Sequence, residues 1–237
     1  MGQWHGIEID TFSWQGYDWA KRPIWGDNHP DDDFTWYSTE LYEIRPNGDL
    51  VLPIKHQPKI FNVNGRMVEK PWARCSVRTT EEFKYGTFEW EMKCPEGKWQ
   101  WPALWLSSDL SWPPEIDCME GWSEDTRDYV KMLIFRNIKP TMHWTGTDGS
   151  HQQKSKNNIL KCRLKCGKTF DKYKVVWTPK YIDVYYNNTR VGHFTDKVLL
   201  DQLNDPECKM HPIMSSGPYG KFDQKEMDRL DSNDRHM

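Results

Sequence analysis

No stretch of the 237-residue chain approaches the roughly 18 consecutive apolar residues that a membrane-spanning helix needs, so no membrane partner is expected. Basic charge is not in excess either. The formal net charge is -3, which argues against a fully basic face for nucleic acid. The six cysteines, Cys75, Cys94, Cys118, Cys162, Cys166 and Cys208, have no paired Cys-x-x-Cys spacing and do not read as a zinc site. Cys162-Arg163-Leu164-Lys165-Cys166 reads as a strand, with both cysteines and Leu164 on one face as small buried hydrophobes. The acidic stretch Trp25-Gly26-Asp27-Asn28-His29-Pro30-Asp31-Asp32-Asp33 lacks EF-hand spacing and reads as solvated loop. Met1-Gly2-Gln3-Trp4-His5 has neither the basic nor the apolar region of a secretory signal. Internal repeats and low-complexity segments are absent. The length suits one buried core, so residues 1–237 are expected to form a single domain, with 223–237 a charged, flexible tail.

What the sequence has in abundance is tryptophan: 14 residues, beside 10 Tyr and 9 Phe. Two readings stand. Indoles can fill a sandwich core, or they can pave a cleft in which flat pyranose faces stack on them while sugar hydroxyls bond polar neighbours. The pattern along the chain is that of short strands. Leu41-Tyr42-Glu43-Ile44 and Leu50-Val51-Leu52-Pro53-Ile54 flank an Asn47-Gly48 turn. Residues 73–79 and 86–93 are further strands, and in the second Phe88, Trp90 and Met92 alternate with Glu89, Glu91 and Lys93. Residues 173–177, 181–186 and 191–194 follow with turns between them, and one short helix is expected near 196–203. Trp90 and Trp177 fall on core faces. This spacing predicts an all-β sandwich or jelly roll.

Chemistry concentrates in Glu115-Ile116-Asp117-Cys118-Met119-Glu120. Simple alternation puts Glu115, Asp117 and Met119 on one face and Glu120 on the other. A β-bulge between Asp117 and Glu120 adds one residue and returns Glu120 to the face of the other acids. Three acids on one face repel one another, unless they are ordinary solvent-facing charges. The surroundings favour a site: Trp101-Pro102-Ala103-Leu104-Trp105-Leu106 and Trp112-Pro113-Pro114 precede the acids, and Thr141-Met142-His143-Trp144 follows them.

Together these motifs resemble glycoside hydrolase family 16, whose bulged members carry E-x-D-x-x-E. Trp72-Ala73-Arg74, Val176-Trp177-Thr178-Pro179 and Met214-Ser215-Ser216-Gly217 extend the resemblance over roughly residues 72–217. It implies a concanavalin A-like jelly roll with an open cleft on its concave sheet. It also implies an endo-acting, retaining enzyme that cleaves internal β-glycosidic bonds through two carboxyls about 5–5.5 Å apart. By motif position Glu115 is the nucleophile and Glu120 the acid/base. Asp117 sits between them, hydrogen-bonds Glu115 and keeps the two glutamates in different protonation states. Trp101, Trp105 and Trp112 fall where relatives stack sugars, and Arg74 and His143 where relatives place polar groups near the cleaved bond. For Trp105 a place in the core competes with this role, and for Arg74 a surface pairing with an acid.

The expected substrate is a β-1,3-glucan of laminarin type. A galactan (agarose, porphyran or carrageenan) or a bacterial exopolysaccharide is the alternative, because Trp-Pro-Pro-Glu also occurs in relatives that depolymerise exopolysaccharides. Arg74, Lys98, Arg136 and Lys139 are candidates for contact with an acidic polymer. A non-catalytic carbohydrate-binding module on the same scaffold is the reading outside the enzyme class. The family implies an extracellular, monomeric protein without a cofactor. A structural calcium, carried by many relatives, is the one ion left open. Its family context includes a closing strand like V-D-Y-V-R-V-Y, which this sequence lacks, and residues 6–12 are the candidate for that edge position.

Overall fold

The computed structural model describes residues 3–4, 7–8, 10–23, 25–29, 32, 34–95, 100–121, 139–156 and 169–218. Nineteen strands, numbered here in chain order, and one helix form among them. The largest sheet has eight strands. Their spatial order is β15 (His151–Ser155), β14 (Thr141–Thr145), β13 (Glu115–Glu120), β12 (Ala103–Ser107), β19 (His211–Ser215), β10 (Ser76–Thr79), β4 (Tyr17–Ala20) and β3 (Thr11–Trp14). A second sheet contains β11 (Gly86–Met92), β16 (Asp171–Trp177), β17 (Ile182–Tyr186) and β18 (Thr189–Phe194). A third contains β5 (Thr35–Tyr37), β9 (Arg66–Arg74) and β8 (Lys55–Val63). Two short pairs complete the set: β1 (Gln3–Trp4) with β2 (Ile7–Glu8), and β6 (Glu43–Ile44) with β7 (Leu50–Val51).

The core lies between the first two sheets. Leu104, Leu106, Ile116, Met119 and Met142 project into it from the eight-stranded sheet, and Tyr173, Val175, Trp177, Ile182 and Val184 from the four-stranded one. Burying a side chain of this size contributes about 1.5–3 kcal/mol before chain entropy is counted. Trp90 and Trp177 are core residues, as their alternation predicts. Cys75, Cys94, Cys118 and Cys208 are buried in the core region. The proposed strand at residues 162–166 and the tail from 223 lie outside the described residues.

Local signals account for several elements. The Asn47-Gly48 turn closes β6 onto β7, with Gly48 at φ +90. Asn187 and Asn188, at φ 44 and 66, make the two-residue turn between β17 and β18. Helix α1 (Lys197–Asn204) begins where Asp196 accepts hydrogen bonds from the Val198 and Leu199 amides, and it buries Leu199, Leu200 and Leu203. Its Gln202 exchanges hydrogen bonds with the Thr145 backbone and so clamps the end of β14. Part of the expected edge segment forms β3, at one margin of the eight-stranded sheet. The hairpin of β8 and β9 is a long element that the sequence pattern does not announce. Among the described residues no helix is long and apolar enough to cross a membrane.

Candidate active site

The register of β12 against β13 contains the expected bulge. Leu104 pairs with Met119 and Trp105 with Asp117, so Cys118 is the extra residue. Ile116, Cys118 and Met119 are all fully buried in the core. Two successive inward residues turn Glu120 back to the outer face, beside Glu115 and Asp117. Glu115 and Glu120 are part-exposed there, and Asp117 is buried between them.

Neighbouring strands complete the setting. His143 on β14 pairs directly with Glu115. Its Nε2 lies 3.2 Å from Asp117 Oδ2 and 3.8 Å from Glu115 Oε1. The Asp117 contact is off the line of a hydrogen bond, and Asp117 Oδ2 has no hydrogen-bond partner among the described residues. The expected bond from this oxygen to Glu115 is therefore not made, and Asp117 acts on Glu115 through its charge. Trp112, 56% exposed on the preceding loop, donates its indole N–H to Glu115 Oε2 at 3.1 Å. Trp101 and Thr141 bring hydrogen-bonding side chains to Glu120, and Lys139 lends it positive charge.

On the other side Trp105 stands on the outer face opposite Asp117 and donates to Ser215 Oγ at 3.2 Å, so it is not a core residue. The indole of Trp25 stacks on it, with centroids 6.3 Å apart. Arg74 does approach an acid, as its second reading expects, but it is largely buried rather than on the surface. Its guanidinium lies over the Tyr37 ring, donates to the Tyr37 hydroxyl and comes within 3.9 Å of Asp32. A Cβ at Gly217 would meet Arg74 Nη1 at 2.7 Å, so only glycine there leaves room for this packing. Among the described candidates, Trp101, Trp105, Trp112 and His143 thus stand beside the acids, and Arg74 is linked to Trp105 through Tyr37 and Trp25.

Three contributors escape sequence reasoning. Trp25 and Tyr37 come from the N-terminal segment, and no spacing ties them to Trp105. The third, His151, hydrogen-bonds His143 across β15 and β14. Asp32, expected as solvated loop, is instead structural: its carboxylate accepts from the Phe34 and Thr35 amides and the Thr35 hydroxyl. Lys98 and Arg136 lie outside the described residues.

Burial, followed by the charge of Asp117, pushes the Glu115 carboxyl well above the ordinary range, while His143 and the Trp112 N–H partly offset this. Burial and the charge of Glu120 push Asp117 well up too, and burial raises Glu120. Close carboxyls titrate as a set, and each one that ionises makes the next harder to ionise. A proton kept by Asp117 removes the main charge opposing ionisation of Glu115, whose two nitrogen neighbours then favour the anion. Ligand atoms of Glu115, Asp117 and His143 lie within 4.8 Å of one another.

Comparison with known proteins concerns the family and the fold. The family model described as Glycosyl hydrolases family 16 matches residues 31–232. The endo-1,3-1,4-beta-glycanase ExsH of Rhizobium meliloti (strain 1021) is 32% identical over 168 residues, covering 66% of this chain and 33% of that protein. The chain thus spans about a third of the length of this curated relative. Among solved structures, the catalytic domain of an endo-1,3-beta-glucanase (laminarinase) from Thermotoga petrophila RKU-1 superposes with TM-score 0.64 at 19% identity, covering 91% of this chain and 87% of that one. Porphyranase B from Zobellia galactanivorans superposes with TM-score 0.66 at 15% identity, covering 92% and 81%. At such identities the likeness is one of fold, the β-sandwich jelly roll.

Proposed function

The chain belongs to glycosyl hydrolase family 16, and from that premise we propose that it is an endo-acting, retaining glycoside hydrolase that cleaves internal β-glycosidic bonds of a polysaccharide. The observation that carries this reading is the bulge at Cys118, which turns Glu120 onto the outer face beside Glu115 and Asp117. A module that only binds sugar has no use for three mutually repelling carboxyls, one buried and two half-buried.

Each residue has a task set by its surroundings. Glu115, steadied as the anion by the Trp112 N–H and His143, attacks the anomeric carbon and forms a glycosyl ester as the leaving oxygen departs. Glu120, whose proton is held by burial, gives that proton to the leaving oxygen and in the second half takes one from the attacking water. Asp117 biases which of the two is ionised. Trp105, Trp25 and Trp112 offer flat faces for pyranose rings, and Arg74 and His143 offer donors.

A β-1,3-glucan of laminarin type is the first substrate reading, supported by the likeness to an endo-1,3-1,4-beta-glycanase and to an endo-1,3-beta-glucanase (laminarinase). A galactan is the second, favoured by the likeness to porphyranase B. A reducing-sugar screen over laminarin, lichenan, agarose, porphyran, carrageenan and succinoglycan, with Glu115→Gln as control, tests both. Loss of all hydrolysis in Glu115→Gln is expected. Hydrolysis surviving in that variant removes Glu115 as nucleophile, and binding without cleavage by the unaltered protein favours a binding module.

A further inference from the structure

We propose that His151 is a positioning residue for the reaction, which holds His143 in the tautomer and orientation that serve Glu115 and Asp117. The inference rests on the reading of these carboxyls as a glycosidase centre. β15 pairs with β14 so that His151 stands opposite Thr145, diagonal to His143. Diagonal neighbours on an antiparallel pair lie within reach of aromatic side chains. His143 Nδ1 and His151 Nε2 share a hydrogen bond of 2.8 Å, and their rings lie 8° from parallel. The Trp112 indole packs against both imidazoles, with centroids 5.9 and 4.8 Å away. His151 is thus gripped on one side by the indole that donates to Glu115, and on the other by the imidazole that faces both carboxyls.

One proton occupies the bond between the two imidazoles, and its position decides what His143 offers the acids. When His151 Nε2 carries the proton, His143 accepts at Nδ1, and its own N–H is at Nε2, facing Asp117 and Glu115. This is the tautomer that favours an ionised Glu115. When His143 Nδ1 carries the proton, a neutral His143 turns a bare lone pair toward two carboxyls, which is tolerable only if one of them is protonated. His151 therefore acts on the nucleophile through an intermediary, as the outer member of a hydrogen-bonded chain does. The ionisable groups around this chain are Glu115, Asp117 and Glu120 on β13, with Lys139 near Glu120 and His143 between the acids and His151. Burial, followed by the charge that His143 carries when protonated, lowers the His151 imidazole below its ordinary value.

Two variants of the full chain test this. On a cleaved polysaccharide, His151→Ala lowers kcat about tenfold with KM within about twofold, and it displaces the acid limb of the kcat/KM profile. His151→Gln, whose side-chain amide can donate to Nδ1, restores most of both. Long-range proton–nitrogen NMR reads the tautomer of His143 without any substrate. The expected result is a proton on Nε2 in the unaltered protein and in His151→Gln, and a tautomer mixture in His151→Ala. An unchanged His143 tautomer in His151→Ala overturns the inference, as does a change confined to KM. If no polysaccharide is cleaved, the glycosidase reading fails, and the NMR result still decides whether His151 sets the tautomer.

Discussion

Replacing Lys70 by Met tests how the N-terminal half of the cleft is held. Lys70 is completely buried, and its ammonium donates to the His29 carbonyl at 2.8 Å and to the Asp32 carbonyl. These carbonyls belong to the segment that carries Trp25 over Trp105 and Asp32 toward Arg74. Two hydrogen bonds from a charged donor are worth about 3–6 kcal/mol together. Removing a buried ammonium recovers several kcal/mol of desolvation. The net change in global stability is therefore small, about 0–2 kcal/mol, and Tm shifts by less than about 8 °C for a chain of this length. The local effect is larger, because the two carbonyls regain partners only if the segment lifts into water. In Lys70→Met the Phe34 and Thr35 amides, which donate to Asp32 Oδ1 at 2.8 and 3.0 Å, exchange hydrogen at least about tenfold faster. KM for a cleaved polysaccharide rises about tenfold, equivalent to about 1.4 kcal/mol, while kcat stays within about threefold. A large fall in Tm with exchange and KM unchanged refutes the reasoning, since Lys70 would then support the fold rather than the cleft.

Three further outcomes are expected. Asp117→Asn abolishes most activity yet stabilises the protein by about 1–3 kcal/mol near pH 7, because it removes a buried carboxyl that folding forces to stay protonated while the unfolded chain ionises it. A raised carboxyl subtracts stability as pH climbs above its unfolded value, so calorimetry should find no gain near pH 3 and a growing one toward pH 7; the opposite trend contradicts the assignment. Burial alone would raise Asp109, but the His211 imidazole 3.2 Å away and the Arg78 guanidinium hold its carboxyl below the ordinary range, so its contribution is present at neutral pH and lost as pH falls through that lowered value. Urea denaturation of Asp109→Asn should show a cost of about 1–3 kcal/mol at pH 7 that shrinks in acid. Trp105→Ala, made in a Glu115→Gln background, should weaken oligosaccharide binding about tenfold by titration calorimetry with little change in Tm, because this indole lies outside the core.

The sequence was most informative where burial on one face imposes a strict period. Phe88, Trp90 and Met92 alternate cleanly because one side of β11 meets the core and the other meets water. The acid strand was legible for a related reason: its one break in alternation is the bulge that the chemistry needs. The hairpin of β8 and β9 escaped because much of β8 is exposed on both faces and carries Pro58 beside a register shift, so no period survives. Its Asn64-Gly65 turn, with both residues at positive φ, was the available signal. Trp25 and His151 were invisible for a different reason. Trp25 is held through Lys70, distant in sequence, and His151 meets His143 through a diagonal whose register across the β14–β15 hairpin no single-chain pattern fixes.

The bulge has a consequence for how this protein can change. Ile116, Cys118 and Met119 are fixed by the core while Glu115, Asp117 and Glu120 are fixed by the cleft, so every residue of the strand answers to one surface or the other. Inserting or deleting a residue here either moves an acid out of reach or drives a side chain into an occupied space. The loop before the strand and the N-terminal segment carry no such double constraint. New specificities are therefore expected to arise by exchange of residues around Trp25 and Trp112, with the reacting strand inherited unchanged.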